Sequence, residues 1–290
     1  MKQTYKKQGG FFSAVLAWVL SLLLVLLSVV GVVALTICNK GYLQQQVLKS
    51  GYSAQALENL KENYTSYGSA GGMSSEVMTS FITAEQIQQD LFRSIDEFYK
   101  GNREKLQHPE VGQAAKAAMA ASLEERGIKI TDEIDSALEQ MAQLCQTDYE
   151  NYVRISLASL VAAYMPKLTK LAWVAAGVVA GVTLIALILV LSVQRTAPAR
   201  LRWCINAFSG AALFCVLVPI LFRIFVKMEN LRLSQASFKN LLVSYTNSMV
   251  NVFFYFGLIY ALVVVAMALA WRAAFNRSKQ AYQARKAMEY

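Results

Sequence analysis

The sequence predicts an all-α, polytopic membrane protein: four transmembrane helices plus a small extracytoplasmic helical domain. Three observations predict it. Residues 11–38, 171–194, 203–222 and 240–271 carry no charged side chain, and about 20 apolar residues rising 1.5 Å each cross the hydrocarbon core. The eleven basic residues that lie before the first span, between the second and third and after the fourth fall on one side of a chain that crosses four times. No useful length of chain alternates apolar and polar residues, so strands are not expected.

Taken in order, residues 1–10 are a basic N-terminus with Lys2, Lys6 and Lys7. Residues 11–38 form the first span. A cleaved signal has an apolar region of only about 7–15 residues, and this run is nearly twice that. "LTIC" at 35–38 is similar to a lipoprotein cleavage box, but Ile37 stands where a small residue belongs. An uncleaved anchor is expected. Residues 39–168 are polar enough for water and long enough for one small domain. The second span is 169–194 and the loop 195–202 carries Arg195, Arg200 and Arg202. The third span is 203–227. Residues 228–249 are an outer loop or amphipathic helix, with an outward extension of the fourth span (250–271) preferred because the uncharged run is long. Residues 272–290 are a basic tail.

The three basic segments 1–10, 195–202 and 272–290 hold eleven Lys and Arg and one acidic residue, Glu289. The 39–168 block holds more acidic than basic residues. The net charge of +9 is therefore a positive-inside signature, which excludes nucleic acid as the expected partner. It implies a multi-pass plasma-membrane protein with both termini cytoplasmic and the 39–168 block outside.

Within that block, helical spacing runs through 42–64, with Gly51-Tyr52 as a break. "GSAGG" at 68–72 reads as a loop, and Ser74-Ser75-Glu76 starts a short helix. Thr83 and Gln86 have capping-box spacing before Ile87, Leu91, Ile95 and Phe98, and Gly101 stops that helix. Pro109 opens the next, which stops at Gly127. Thr131 caps the strongest, with Asp132 and Glu133 in its first turn. Its stripe of Ile134, Leu138, Met141, Cys145, Tyr149, Tyr152 and Ile155 reads as bundle core rather than a ligand face. Pro166 predicts a kink between the block and the second span.

Chemistry is sparse. The single histidine, His108, precedes Pro109 in a polar turn and reads as an exposed loop residue. Glu124-Glu125 and Asp132-Glu133-Asp135 lack the order of a calcium loop and read as solvated helix ends. Asn63-Tyr64-Thr65 matches a glycosylation acceptor, a three-residue pattern frequent by chance. Cys38, Cys145, Cys204 and Cys215 lack metal spacing. A Cys38–Cys145 disulfide is open, with free thiols preferred because an intervening helix would separate them. No catalytic, cofactor-binding or metal residue is nominated, and an enzyme is not expected.

Two pairs are singled out. Gly177 and Gly181 have the spacing that lets helices approach closely, with another span of the same chain as the expected neighbour. Arg223 and Lys227 end the third span. Twenty residues from Trp203 to Phe222 span about 30 Å, which puts Arg223 near the interface. There its stem can snorkel to water or lipid phosphate, or pair with an acidic residue at the base of the outer domain.

"GYLQQQVLKSGYSAQALENL", "GGMSSEVMTSFITAEQIQQDLFRSIDEFYKG" and "SQASFKNLLVSYTNSM" together resemble an uncharacterised family of four-span membrane proteins of Gram-positive bacteria with a helical extracellular domain between spans 1 and 2. The resemblance implies that architecture and supplies no activity. The topology is also similar to FtsX-type permeases, partners of ABC transporters. Their outer domain usually contains strands, and 194–203 is short for an ATPase-coupling helix.

The function expected is a non-enzymatic integral membrane protein whose outer domain binds a partner or senses an envelope signal. Its partners would be the lipid bilayer and an envelope protein or cell-wall component, with a homo-oligomer also open. The alternative is a transporter or channel subunit, ABC-permease-like or with a pore lined by Asn206, Ser209 and Asn251.

Overall fold

The computed structural model describes residues 2–102, 106–154, 161–194, 196–226, 228 and 235–288, with side chains between Phe11 and Asn276. Its helices are α1 (Lys2–Leu35), α2 (Lys40–Ser50), α3 (Tyr52–Ala70), α4 (Ser75–Thr79), α5 (Ala84–Lys100), α6 (Pro109–Glu125), α7 (Asp132–Val153), α8 (Met165–Val193), α9 (Ala197–Phe225) and α10 (Ala236–Met288). A 3-10 turn, Ala162–Tyr164, precedes α8. No strand occurs among the described residues. Four stretches are long and apolar enough to cross a membrane: Phe11–Leu35, Ala162–Val193, Ala197–Phe225 and Ala236–Asn276. This is the make-up of an all-α multi-pass membrane protein.

The chain divides into a span unit (Met1–Ile37, Lys170–Met228 and Thr246–Tyr290) and a bundle unit (Cys38–Thr169 and Glu229–Tyr245).

In the span unit, α1, α9 and α10 pack around Leu20, Leu24, Ala207, Ala211, Cys215 and Tyr260. Missing side chains allow the close approach. A methyl group at Gly257 would lie 2.8 Å from Val216 Cγ2 and 3.1 Å from the Cys215 backbone, and one at Gly210 would lie 2.7 Å from Ser21 Oγ. A polar latch sits among these apolar contacts. The Ser28 hydroxyl donates to Tyr260 Oη (2.9 Å), and the Tyr260 hydroxyl donates to the Leu24 carbonyl (3.0 Å). Such bonds between membrane helices contribute about 0.6 kcal/mol on average.

The bundle unit follows its local signals. Thr83 Oγ1 accepts from the Gln86 N–H, and Thr131 Oγ1 from the Ile134 N–H. Gly51 at φ 64° separates α2 from α3, and Gly101 at φ 86° ends α5, a region where a side chain would be strained. The expected loop at 68–72 is shorter than its composition suggests, because α3 continues to Ala70. Pro166 does not kink a helix. It stands second in α8, where its missing N–H would have had no partner in any case. The region before the fourth span is a helical extension: α10 begins at Ala236, and Phe238 and Leu241 pack on the bundle core. Ile155 of the predicted stripe and Arg195 of the predicted loop lie outside the described residues. All four cysteines are buried free thiols.

Buried tyrosines tie α3 to α7. The Tyr64 hydroxyl, on a residue with no exposure, donates to the Cys145 carbonyl at 2.6 Å. The Tyr52 hydroxyl donates to the Tyr152 carbonyl at 2.7 Å, and the Tyr67 hydroxyl to Asp148 Oδ2 at 2.6 Å. Burial first, then nearby acidic groups, raises the Tyr64 phenol well above its ordinary value, so it remains a donor. The Asp148 hydrogen bond is the main cause that pushes Tyr67 up to about 12. Tyr64 also stacks on Phe81, centroids 5.5 Å apart, which brings the α4–α5 turn onto the same core.

Tyr64→Phe keeps the ring and removes the hydroxyl. It should cost about 1–2 kcal/mol and lower the melting temperature of the detergent-solubilised protein by a few degrees, while Tyr255→Phe, on an exposed span position, leaves it unchanged.

Candidate functional site

Three helices of the bundle unit bring polar groups to one place. Asp90 lies on α5, between the buried Ile87 and Leu91. His108 is the N-cap of α6, followed by Pro109 and Glu110. Gln146, Tyr149 and Glu150 lie on one side of α7. His108 is 2% exposed, which corrects the expectation of an exposed loop residue. The proline ring starts α6 directly after it, and the chain is held there by α7: the His108 backbone N–H donates to Glu150 Oε1 at 3.1 Å. Gln146 Nε2 donates to the same oxygen at 2.8 Å.

The imidazole meets the Tyr149 ring edge-on, centroids 5.5 Å apart. Its Nδ1 lies 2.9 Å from Glu110 Oε1 and 3.5 Å from Asp90 Oδ2. The Tyr149 hydroxyl donates to that same Asp90 oxygen at 2.6 Å. His108 Nε2 is buried and has no hydrogen-bond partner among the described residues.

The electrostatics follow. Burial, then the Asp90 hydrogen bond, pushes the Tyr149 phenol well above its ordinary range. Burial alone would raise Glu110; its own backbone amide at the start of α6 and then His108 outweigh that and leave it below its ordinary value of 4.5.

One ligand atom each from Asp90, His108 and Glu110 lies within 4.8 Å of the others. One imidazole nitrogen and two carboxylate oxygens suit a borderline divalent ion such as Zn²⁺. To ligate through Nδ1, the ring must carry its proton on Nε2 and give up the bond to Glu110. Glu110 is more than half exposed and Asp90 partly so, so the centre opens to solvent on the carboxylate side.

The residues singled out in the sequence lie elsewhere. Arg223 is exposed near the end of α9, and its guanidinium donates to Asn251 Oδ1 on α10 within the span unit. Lys227 lies outside the described residues. Gly177 and Gly181 on α8 have no heavy atom within 4 Å of where a methyl group would stand. The intrachain neighbour expected for them is therefore not present among the described residues. The acidic residues after Thr131 are surface groups, and Lys116 bridges Asp135 (2.9 Å) and Glu139 (3.1 Å). Pairs of this kind contribute little.

No family model, curated protein or solved structure matches the chain.

Glu110 gives a pH dependence with a definite sign. Its folded value is lowered, so its contribution is present above 4.5 and is lost as pH falls through the folded value. Because its side chain is exposed, the effect is small. Glu110→Gln should lower stability slightly near neutral pH and match the parent below the folded value, so that the acid limb is flatter, as read from melting temperature against pH.

Proposed function

We propose that the chain is a non-enzymatic integral protein of the plasma membrane, of the four-span type it resembles. Its termini are cytoplasmic, and its helical bundle stands outside to bind a partner or sense an envelope signal. The asymmetry of basic residues supports the orientation. One observation carries the sensing role: a buried histidine held between Asp90 and Glu110, at the junction of α5, α6 and α7.

The signal this chemistry accepts is a divalent cation of the Zn²⁺ type. The three ligands come from two parts, α5 and the start of α6, and both parts are tied to α7. Asp90 answers to Tyr149 on α7, Glu110 opens α6, and His108 is tied to Glu150. Drawing the three ligand atoms onto one ion changes how α6 starts against α5 and α7. An envelope protein or cell-wall component docked on the bundle would register that change.

The test is thermal unfolding of the full-length protein in detergent with added Zn²⁺, Mn²⁺ or Mg²⁺. Zn²⁺ at about 100 times its dissociation constant should stabilise by about 2.7 kcal/mol, seen as a saturable rise in melting temperature. Mg²⁺, which prefers six oxygen ligands, should give no such rise. His108→Gln should remove the Zn²⁺ effect, whereas Glu124→Gln should retain it. An equal rise in the His108→Gln protein, or none in the parent, contradicts the reading.

A further inference from the structure

At the α9 end of the span unit, α1, α9 and α10 leave a groove of about 320 Å³. Val29 and Val32 of α1, Val218, Pro219 and Phe222 of α9 and Phe253 of α10 line it, with no polar surface. Its position follows from side-chain size. The three helices touch closely where Gly31 meets Phe256, where Gly210 meets Ser21 and where Gly257 meets Cys215 and Val216. Toward the end of α9, bulkier residues line the groove: valines, phenylalanines, a methionine and a proline. The rest of the unit's outer face is apolar and exposed, as a lipid-facing surface is.

A cation stands at the groove's end. Arg223 follows Phe222 and lies four residues after Pro219, on the same face of α9 one turn further. Asn251 Oδ1 holds its guanidinium, and Asn251 is next in sequence to the groove residue Val250. An asparagine fixes the direction of the fork without neutralising it. A guanidinium has five N–H donors in a planar array that suits phosphate oxygens. The arrangement is thus a dry slot for one hydrocarbon chain, ending in an oriented positive charge at interface depth.

We infer that this groove is a binding site for an anionic glycerophospholipid, with one acyl chain between α1, α9 and α10 and the lipid phosphate on Arg223. Hydrocarbon alone does not select among lipids. The charge does, since one cation near the membrane surface contributes about 1 kcal/mol towards an acidic headgroup.

The experiment is native mass spectrometry of the full-length protein, delipidated in detergent and then titrated with phosphatidylglycerol or phosphatidylcholine of the same chains. The parent should retain one phosphatidylglycerol with about fivefold preference. Arg223→Gln should bind both equally, and Arg223→Lys should restore part of the preference. Val218→Trp, which fills the slot, should lose the tightly held lipid of either kind while the protein elutes as a folded species. Equal retention by the parent, or a preference that survives Arg223→Gln, overturns the inference. So does a preference unchanged by Val218→Trp, which would place the lipid elsewhere on the surface.

Discussion

The bundle unit depends on phenol hydroxyls that bond to a helix from outside it. Tyr64 and Tyr52 of α3 donate to the Cys145 and Tyr152 carbonyls of α7. Those carbonyls belong to buried residues on the apolar face of a long helix. A tyrosine there supplies ring area to the core and a proton to the backbone at once. Because both bonds run between the same two helices, they fix α7 in rotation and in height. Everything that α7 presents to α5 and α6 follows from that placement: Gln146, Tyr149 and Glu150.

The His108 centre is the main consequence. Tyr149 turns its hydroxyl to Asp90 and its ring to the imidazole, while Glu150 takes the His108 amide. The histidine is held by groups on α7 and by the carboxylate two residues along its own chain. The span unit is built otherwise. Its helices meet through glycine contacts and the Ser28–Tyr260 latch, and where the small residues give way to large ones a groove opens beside Arg223.

Much of this architecture is legible in the sequence. Uncharged runs locate the four long apolar helices, and Thr83, Gly101, Pro109 and Thr131 mark helix ends because their signals are local. The stripe on α7 is legible too, since Leu138, Cys145, Tyr149 and Tyr152 repeat with the helical turn and are buried. His108 is not. A histidine before a proline in a polar stretch carries no sign of what α7 will place over it. A weak hint exists in Asp90, three residues after Ile87 and so on the edge of a buried face. Gly177 and Gly181 show the converse limit: small residues permit a close approach, but the sequence does not say whether another helix makes it. Arg223 could be located at the end of a span from residue counts, whereas its bond to Asn251 needed the packing of two helices far apart in sequence.

His108 is the chain's only histidine, so one label reports on the central claim. The full-length protein with ring ¹⁵N-histidine, in detergent micelles, gives a single pair of imidazole nitrogen resonances. The account predicts a Nδ1 proton hydrogen-bonded to a carboxylate and protected from solvent exchange. It also predicts that Zn²⁺, but not Mg²⁺, removes that proton and shifts Nδ1 to a metal-bound position. An imidazole whose proton exchanges freely with water, and whose resonances Zn²⁺ leaves in place, would contradict it.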